Sequence, residues 1–340
     1  MSAVRIGLVG AGRIGAAHAR TLVERVHGAE LVAVADPRPG AADALAVPLG
    51  ARGETSPEAI LSADDVDAVV VAASSTSHSV LVVAAAEAGK HVFCEKPAGM
   101  SLAEIDAARD ATSAAGVVFQ VGFNRRFARD FRAARDAIVD GAIGSVRMLR
   151  SLTRDPGDGP ADPGAVPEWT IFTQTLIHDF DTLNWFNPGA RAVDVVATAD
   201  ALVAPDFKAA GLLDSAVVVI RYDNGAIATA EASFAAAYGY DVRGEVLGSA
   251  GMVTAGDGAS SSMRLHDASG RLARTSHSDV ALLADAYAAE FHEFVDAVRE
   301  GRTPAVTGDD ARAAFAVAEA CIASVQSGAR AAVHPSDAVV

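Results

Sequence analysis

The stretch HVFCEKPAGM places charged groups directly after an apolar segment. Residues 91–94 have the composition of a buried strand, and Glu95, Lys96 and Pro97 follow them. In open α/β sheets, ligands bind outside the carboxyl ends of the strands. An ammonium group at that place can hydrogen-bond a hydroxyl of a ligand and stabilise the negative charge that develops on its oxygen. We therefore predict a functional role for Lys96, with a solvated lysine at a strand end as the alternative.

A second candidate is the stretch GAGRIG, residues 10–15, which follows a predicted strand and opens a predicted helix. This is the arrangement of a dinucleotide-binding loop. Gly10 permits a tight turn, Gly12 lets the backbone approach a pyrophosphate, and Gly15 lets helix and strand pack closely. The N–H groups and the dipole of the helix then attract the phosphates. We predict that this loop binds a dinucleotide, and the alternative is a simple glycine-rich turn. The predicted cofactor-binding residues are Gly10, Gly12, Arg13, Ile14 and Gly15.

An acidic residue follows this loop at the expected distance. Asp36 ends the second apolar segment, 21 residues after Gly15. Its carboxylate can accept hydrogen bonds from ribose hydroxyls and repel a 2′-phosphate, which favours NAD over NADP. Arg38 lies two residues further on and can accommodate that phosphate, so NADP is the alternative cofactor.

The stretch TQTLIHDFDTLNW, residues 173–185, is predicted to form one helix. On a continuous helix, positions i, i+4, i+7 and i+11 share one face, and they hold Gln174, His178, Asp181 and Trp185. A histidine with an acid three residues later is suited to general-base catalysis near neutral pH. The alternative is a structural histidine paired with its neighbour. His18 follows the glycine loop on the first predicted helix, where we expect a packing role rather than a catalytic one.

The order of the predicted elements indicates how these residues are positioned. Apolar strands at 4–9, 30–35, 67–73, 91–94 and 117–121 alternate with helices. This alternation predicts an α/β fold with a parallel sheet covered on both faces. The second half has long β-like stretches between 192 and 273, including a hairpin at Asn224-Gly225, followed by helices at 282–299 and 309–327. We place the domain boundary near residues 122–126.

Composition narrows the function classes. A chain of 340 residues is long enough for about two domains, and its net charge of −15 argues against binding nucleic acid or anionic membranes. Two isolated cysteines, Cys94 and Cys321, fit a reducing, cytoplasmic setting without disulfides. The start MSAVRIGLVG leads directly into a strand, and no apolar run reaches ~18 residues. We therefore expect neither a signal peptide nor a membrane helix.

The sequence resembles the glucose–fructose oxidoreductase, inositol 2-dehydrogenase and rhizopine-catabolism (Gfo/Idh/MocA) family over nearly its whole length. The resemblance rests on the stretches GLVGAGRIGAAHA, GKHVFCEKP, VGFNRRF, IHDFD, YGYDVRGEVLGSAG and GRTPAVTGDDAR. The stretch YGYDVRGEVLGSAG is most similar to the bacterial inositol dehydrogenases. The resemblance implies an N-terminal doubly wound Rossmann domain, residues 1–122, and a C-terminal α/β domain, residues 123–340, built on a large, mostly antiparallel open sheet. It also implies a homo-oligomer, a dimer or tetramer, formed through that sheet, and no metal.

The resemblance also assigns roles to single residues. Lys96 would be the catalytic lysine and His178 the acid/base. The substrate would be contacted by Asn124, Arg125, Arg126, Gln174, Asp181 and Tyr240. The cofactor would be contacted, beyond the glycine loop, by Asp36, Arg38, Ser74, Thr76, His78, Glu95 and Lys96.

One position departs from the pattern of the inositol dehydrogenases. They carry an aspartate four residues before the histidine, where this chain has Gln174. An amide can orient the imidazole of His178 or bind a hydroxyl, but it carries no charge. We predict an NAD-dependent oxidoreductase that converts a secondary ring hydroxyl of a cyclic, inositol-like polyol to a ketone. The alternatives are a dehydrogenase of an aldose or a deoxy- or anhydro-sugar, and a non-catalytic sensor of dinucleotide or sugar.

Overall fold

The computed structural model describes residues 3–334 except 158–161, 163, 165, 204, 257–258 and 269. The chain divides into two units, which are described separately. The first consists of Met1–Phe127 and Ala284–Arg312, and the second of Ala128–Leu283 and Ala313–Val340. The predicted domains of residues 1–122 and 123–340 remain a prediction, and the structure adds that residues 284–312 pack with the first unit.

The helices and strands alternate through the first third of the chain, and strands dominate the middle. The helices are α1 Arg13–Arg25, α2 Ala41–Ala46, α3 Pro57–Leu61, α4 His78–Glu87, α5 Leu102–Ala115, α6 Arg129–Val139, α7 Ile177–Phe186, α8 Pro205–Ala209, α9 Asp279–Leu282, α10 Ala284–Glu300 and α11 Gly308–Ser327. The strands are β1 Val4–Val9, β2 Ala29–Ala35, β3 Arg52–Glu54, β4 Ala68–Val71, β5 His91–Glu95, β6 Phe119–Gly122, β7 Val146–Arg154, β8 Ala192–Asp200, β9 Ser215–Tyr222, β10 Ile227–Ser233, β11 Asp241–Gly248, β12 Met252–Ala255, β13 Ala259–Asp267, β14 Gly270–Thr275 and β15 Ala331–Ala332. Short 3₁₀ turns span Val47–Leu49, Ser75–Ser77 and Asn124–Phe127.

The first unit contains a parallel sheet with the strand order β3-β2-β1-β4-β5-β6. This is the order of a doubly wound dinucleotide-binding fold, in which the direction of winding reverses between β1 and β4. The predicted α/β class and parallel sheet are confirmed. The bounds of the five predicted strands, β1, β2, β4, β5 and β6, differ from the predicted bounds by two residues or fewer, because each apolar run is flanked by clear turn residues. The short edge strand β3 was not predicted.

Aromatic packing joins the late helix α10 to this sheet. Phe93 lies on β5, and the centroid of its ring lies 4.6 Å from that of Phe291 and 5.9 Å from that of Phe294. All three side chains are fully buried. Burying a phenylalanine side chain contributes about 1.5–3 kcal/mol, so these contacts give a physical reason why residues 284–312 belong to the first unit.

The second unit contains a mostly antiparallel sheet with the order β12-β11-β7-β10-β9-β8-β15, in which β7 and β10 pair in parallel. Burial alternates along β9, with Val218 and Ile220 inside and Val217 and Val219 outside. Within this unit, α6 and α7 meet through Phe131 and Phe186, whose rings stack 5.9 Å apart. Strands β13 and β14 form a separate ribbon.

The predicted hairpin is confirmed, and helix α5 begins with a side-chain cap at Ser101. Strands β9 and β10 pair around a turn in which Gly225 has a φ of +87° and its N–H donates to the carbonyl of Tyr222 over 3.0 Å. Ser101 Oγ accepts from the N–H of Glu104 over 3.2 Å. The carboxylate of Glu104 in turn accepts a hydrogen bond from the N–H of Met100, rather than from that of Ser101, over 2.7 Å.

The predicted helix over residues 173–185 is wrong in its first turn. Ile171–Thr175 forms a π-turn, in which the N–H of Leu176 donates to the carbonyl of Ile171 over 2.8 Å. The α-helix α7 begins only at Ile177. A π-turn holds an extra residue, so the 3.6-residue period that aligned Gln174 with His178 does not run through it. Sequence periodicity could not reveal this insertion because both helix types bury similar apolar residues.

No helix in the described ranges is both long and apolar enough to span a membrane.

Candidate active site

Five loops meet at the carboxyl edge of the sheet in the first unit. The register pairs Val9 with both Ala35 and Val71, and it pairs Glu95 with Gly122, so the strands end at a common level. The loops that follow β1, β2, β4, β5 and β6 therefore share this edge. It is the side on which open α/β sheets bind ligands.

The glycine loop has the close packing that the sequence predicted. Gly10 has a φ of +107°, and a Cβ there would overlap the carbonyl oxygen of Ala72. A Cβ on Gly15 would overlap the carbonyl oxygen of Gly10. A Cβ on Gly12 would meet no atom within 4 Å, so its backbone faces open space through which a phosphate can approach.

The N-terminus of α1 is suited to an anion. Gly12 is its N-cap, no side chain caps it, and its first turn holds no acidic residue. The N–H groups of this turn and the helix dipole favour a phosphate group. Arg13 is exposed and Ile14 is half-buried beside them. The loop therefore fits the pyrophosphate of a dinucleotide, with Gly12 and Arg13 accessible and Gly10 and Gly15 buried in the packing beneath them.

Asp36 lies at the end of β2 with its carboxylate turned toward the glycine loop. Oδ2 accepts from the N–H of Ala11 over 2.8 Å. The guanidinium of Arg38 donates to both carboxylate oxygens, from Nε and Nη2, each over 2.9 Å. The hydrogen bonds from Arg38 outweigh the effect of burial and hold the pKa of Asp36 far below its usual range. The carboxylate is thus ionised and close to the loop, as recognition of a ribose hydroxyl requires.

The loop after β4 is tied to the loop after β5 by His78. Its ring is buried, with Nδ1 2.8 Å from the carbonyl oxygen of Pro97 and Nε2 3.2 Å from that of Ala73. Ser74 and Thr76 are exposed, and their hydroxyl oxygens lie 3.1 Å apart. The backbone contacts of His78 give it a positioning task, and contact of these three side chains with the cofactor stays a prediction.

Lys96 stands immediately after β5, half-buried at the same edge, and its peptide bond to Pro97 is cis. Glu95 before it is buried, and its Oε2 accepts from the N–H of Lys96 over 3.2 Å. Gly122 on the neighbouring strand leaves room for that carboxylate, since a Cβ there would lie 3.3 Å from Cδ of Glu95. The charged pair predicted from the sequence therefore divides into a partly accessible ammonium and a buried carboxylate.

His18 has a task that the sequence prediction missed. We expected a packing residue, and the ring is indeed buried, but its Nε2 donates to Oε1 of Glu95 over 2.7 Å. Burial raises the pKa of Glu95, and the hydrogen bond and charge of His18, with the charges of Lys96 and His78, outweigh it, so the pKa falls below its usual value. No signal in the sequence links His18 to a residue 77 positions later.

Asn124, Arg125 and Arg126 form a buried 3₁₀ turn after β6. Arg126 donates from Nη2 to Asp310 over 3.0 Å, so its charge is balanced within the first unit. The Oδ1 atom of Asn124 is buried without a hydrogen-bond partner among the described residues. Contact of these three residues with a substrate stays a prediction. The Oδ1 atom of Asn124 is an acceptor that could receive a hydrogen bond from a substrate hydroxyl.

The remaining candidates lie in the second unit. His178 is half-buried on the first turn of α7, and Asp181, one turn later on the same helix, is almost fully buried. Gln174 is half-buried in the preceding π-turn. Tyr240 is half-buried just before β11, where its N–H donates to the carbonyl of Ser276 over 2.7 Å. Their roles toward a substrate stay predictions.

Asp179 is a positioning residue that the sequence analysis did not single out. It is fully buried next to His178, and its two carboxyl oxygens accept from the hydroxyls of Ser151 and Thr153 on β7, each over 2.5 Å. These bonds fix the first turn of α7 on the sheet. Hydroxyls at alternate positions of one strand face, together with an aspartate beside the histidine, were the available signal.

Metal ligands are not clustered: in the residues that the structure describes, no group of three or more histidine, cysteine or acidic side chains could hold an ion.

Family models match both halves of the chain. Residues 4–123 match the model of an oxidoreductase family with an NAD-binding Rossmann fold, and residues 135–333 match the C-terminal α/β domain of the same family. The chain is 39% identical to the inositol 2-dehydrogenase of Rhizobium meliloti over 95% of this chain and 97% of that protein. It is 37% identical to the myo-inositol 2-dehydrogenase of Thermotoga maritima over 95% of this chain and 96% of that protein.

A solved structure is also similar. The scyllo-inositol dehydrogenase from Lactobacillus casei, with bound NAD(H) and scyllo-inositol, superimposes with a TM-score of 0.93 at 27% identity, and the match covers 98% of this chain and 99% of that one.

Proposed function

Because the chain belongs to this NAD-binding oxidoreductase family, we propose that it oxidises a secondary ring hydroxyl of a cyclic, inositol-like polyol to a ketone. The cofactor is NAD, whose nicotinamide ring accepts the hydride when it is bound. The relatives named for myo-inositol, inositol and scyllo-inositol dehydrogenation support this substrate class.

The observation that carries the proposal is the place of Lys96 relative to the glycine loop. Both lie at the carboxyl edge of one parallel sheet: the glycine loop follows β1, and Lys96 follows β5, which is separated from β1 by β4 alone. The N-terminus of α1 would hold the pyrophosphate and so orient a dinucleotide along this edge. An ammonium there can stabilise an oxygen that gains negative charge as its carbon is oxidised.

In the proposed reaction, His178 removes the proton of the substrate hydroxyl and Lys96 stabilises the oxygen that results. In the reverse direction, reduction of the ketone, Lys96 polarises the carbonyl oxygen and His178 returns the proton to it, by microscopic reversibility. Asp179 holds the turn that carries His178, and Glu95 holds the backbone of Lys96. The roles of Asn124 and Tyr240 are to hydrogen-bond the other hydroxyls of the ring.

The coenzyme preference follows from Asp36. Its carboxylate is ionised and placed beside the loop, so it can accept from the ribose hydroxyls of NAD and repel the extra phosphate of NADP. Arg38 is held by Asp36 rather than left open to a phosphate.

The second candidate is a sugar dehydrogenase, and Gln174 is the residue that favours it. An uncharged amide before His178 changes the hydrogen-bonding groups offered to a ring hydroxyl. A third function, a non-catalytic sensor, is opposed by the presence of Lys96 and His178, since a sensor has no need for either.

A panel assay of NAD⁺ reduction tests the three functions. NADH absorbance is followed with myo-, scyllo- and chiro-inositol, with common hexoses and pentoses, and with deoxy- and anhydro-sugars. Turnover of an inositol supports the proposal. Turnover of an aldose alone supports the second candidate. Tight NAD binding without turnover of any compound supports the sensor.

We also propose a cytoplasmic homo-oligomer, either a dimer or a tetramer. Four valine side chains are exposed on β8 and β9, on the open face of the sheet in the second unit: Val193, Val196, Val217 and Val219. Contiguous exposed apolar side chains of this kind mark interaction surfaces. Free, buried cysteines at 94 and 321 fit a reducing compartment. Sedimentation equilibrium of the purified protein measures the oligomeric state.

A further inference from the structure

A buried cluster of ionisable groups in the first unit includes Glu95, the residue that precedes Lys96. His18 comes from α1, Glu95 from the end of β5 and Glu290 from α10. The side chains of His18 and Glu290 are completely buried, and Glu95 is 7% exposed. The described contact between them is the bond from Nε2 of His18 to Oε1 of Glu95, over 2.7 Å.

Aromatic rings enclose this cluster. The centroid of the His18 ring lies 4.9 Å from that of Phe291, 5.3 Å from that of Tyr287 and 6.1 Å from that of Phe93, in edge contacts. Such walls exclude water, so charges inside interact more strongly than they do at the surface. Two carboxylates in one such enclosure cannot both ionise at neutral pH without a large free-energy cost.

The hydrogen bonds divide the two carboxyl groups unequally. Glu95 accepts from His18 and from the N–H of Lys96. Both carboxyl oxygens of Glu290 lack a hydrogen-bond partner in the described part of the chain. Gln120 donates to the main-chain carbonyl of Glu290, over 2.9 Å, and not to its side chain. Burial, followed by the charge of Glu95, raises the pKa of Glu290 well above its usual value.

We propose that His18, Glu95 and Glu290 form one positioning network for Lys96, in which Glu95 holds the negative charge and Glu290 stays protonated. The network places one fixed anion beside the ammonium of Lys96 and favours its charged form. Glu290 fills the space behind that anion without adding a second charge. The inference rests on the proposed function, because Lys96 has a catalytic task only there.

Other ionisable groups that act on Glu95 are accounted for. His78 on α4 and Lys96 favour its ionised form. Cys94, its neighbour on β5, is fully buried, and burial followed by the charge of Glu95 raises the pKa of its thiol, so it is uncharged. None of these groups adds a second negative charge, so Glu95 is the anion of the described network, and it is bonded to the N–H of Lys96.

The test measures the ionisation of Lys96 directly. The chain contains three lysines, Lys90, Lys96 and Lys208, so reductive methylation with ¹³C-formaldehyde gives few signals in an NMR spectrum. Loss of one signal in Lys96→Ala assigns it. The titration midpoint of that signal is then compared in the wild type, Glu95→Gln, Glu290→Gln and the exposed-surface control Glu87→Gln.

Glu95→Gln removes the anion, so the midpoint of Lys96 should fall by about one unit or more, as expected for the loss of a nearby opposite charge. Glu290→Gln replaces a protonated acid by a neutral group of the same shape, so the midpoint should stay within about 0.2 units of the wild type. Glu87→Gln should change nothing.

Two results overturn the network: an unshifted midpoint in Glu95→Gln, or a fall in Glu290→Gln as large as that in Glu95→Gln. If Glu95→Gln does not fold, the isosteric variant Glu290→Gln decides alone. If Glu290 were charged, its replacement by glutamine would lower the titration midpoint of Lys96. The titration needs no turnover. An inactive wild type with these shifts would therefore refute the proposed function and leave the network intact.

A kinetic readout separates positioning from mere structure. In Glu95→Gln, the limb of the kcat profile that reports Lys96 should move in the same direction as the NMR midpoint. In Glu290→Gln the profile should keep its shape. A uniform loss of activity at every pH in both variants would indicate a structural role only and would contradict the proposal.

Discussion

The guanidinium of Arg38 donates to both carboxylate oxygens of Asp36, each over 2.9 Å, directly beside the glycine loop. This relationship decides what each residue can offer to a coenzyme. Asp36 remains charged and close to the ribose position, while Arg38 is occupied although 62% of its side chain is exposed. Asp36 therefore disfavours a 2′-phosphate in two ways: its own charge repels the phosphate, and it engages the Arg38 guanidinium that would otherwise bind it.

Replacing Asp36 by alanine should release Arg38 and raise the use of NADP. The ratio of kcat/KM for NAD to that for NADP should fall about tenfold or more, which corresponds to about 1.4 kcal/mol. The measurement is initial-rate kinetics with both coenzymes. The double variant Asp36→Ala with Arg38→Ala is the control, and an equal gain of NADP use there would show that Arg38 is not the group released.

Replacing Lys96 by alanine should reduce kcat by about 10²–10³-fold, the range typical of losing a donor that stabilises developing negative charge on an oxygen. NAD binding, measured by calorimetry, should change little because the glycine loop and Asp36 are untouched. Lys96→Arg is the matched variant, since it keeps the charge with a different shape. Turnover at the wild-type rate in Lys96→Ala would remove this residue from the mechanism.

Asp179 should matter for both stability and activity. Asp179→Ala removes the two buried hydrogen bonds from the hydroxyls of Ser151 and Thr153, at a cost of about 1–3 kcal/mol for each. Urea unfolding measures this loss. Asp179→Asn retains one acceptor oxygen and should lose less. Because the turn that carries His178 loosens, kcat should also fall in the alanine variant; unchanged stability would contradict the anchoring role.

Gln174→Asp tests the position at which this chain departs from the inositol dehydrogenases that it resembles. A carboxylate before His178 should favour the protonated imidazole and move the acidic limb of the kcat profile to higher pH. The profile is recorded with the best substrate of the panel. Gln174→Glu places the charge one bond further away and should shift the limb less. Identical profiles in all three proteins would show that residue 174 does not influence His178.

Glu290 should make the stability of the protein depend on pH. Its pKa is raised in the folded state, so above its unfolded pKa, which is about 4.3, the folded protein holds a proton that the unfolded chain has lost. Protonation of the folded state alone makes the free energy of unfolding fall as pH rises, by about 1.4 kcal/mol per unit until the folded pKa is reached.

Glu290→Gln has no such proton to lose. Its stability relative to the wild type should therefore increase between about pH 5 and 7, measured by urea unfolding at each pH. The exposed-site variant Glu87→Gln should follow the wild type. A constant difference between Glu290→Gln and the wild type over this range would mean that Glu290 ionises normally in the folded protein.

Local sequence signals predicted much of the first unit. The glycine spacing, the acid after the second strand and the lysine after the fifth all lie where parallel strands end, so the fold class and this edge of the site were predictable. The π-turn at Ile171–Thr175 was not, because its apolar residues fit an ordinary helix equally well. The attachment of α10 to the first unit was also missed, since nothing local ties Phe291 to Phe93.

The amino-acid sequence by itself determined which groups can do chemistry: a dinucleotide loop, an acid to select the coenzyme, an ammonium and an imidazole. The tertiary structure alone decided the charge and the partners of those groups. His18 meets Glu95 across 77 positions, and Glu290 loses access to water only when α10 closes over the sheet. Ionisation depends on distance and burial in three dimensions, and neither quantity is written in the spacing of residues along a chain.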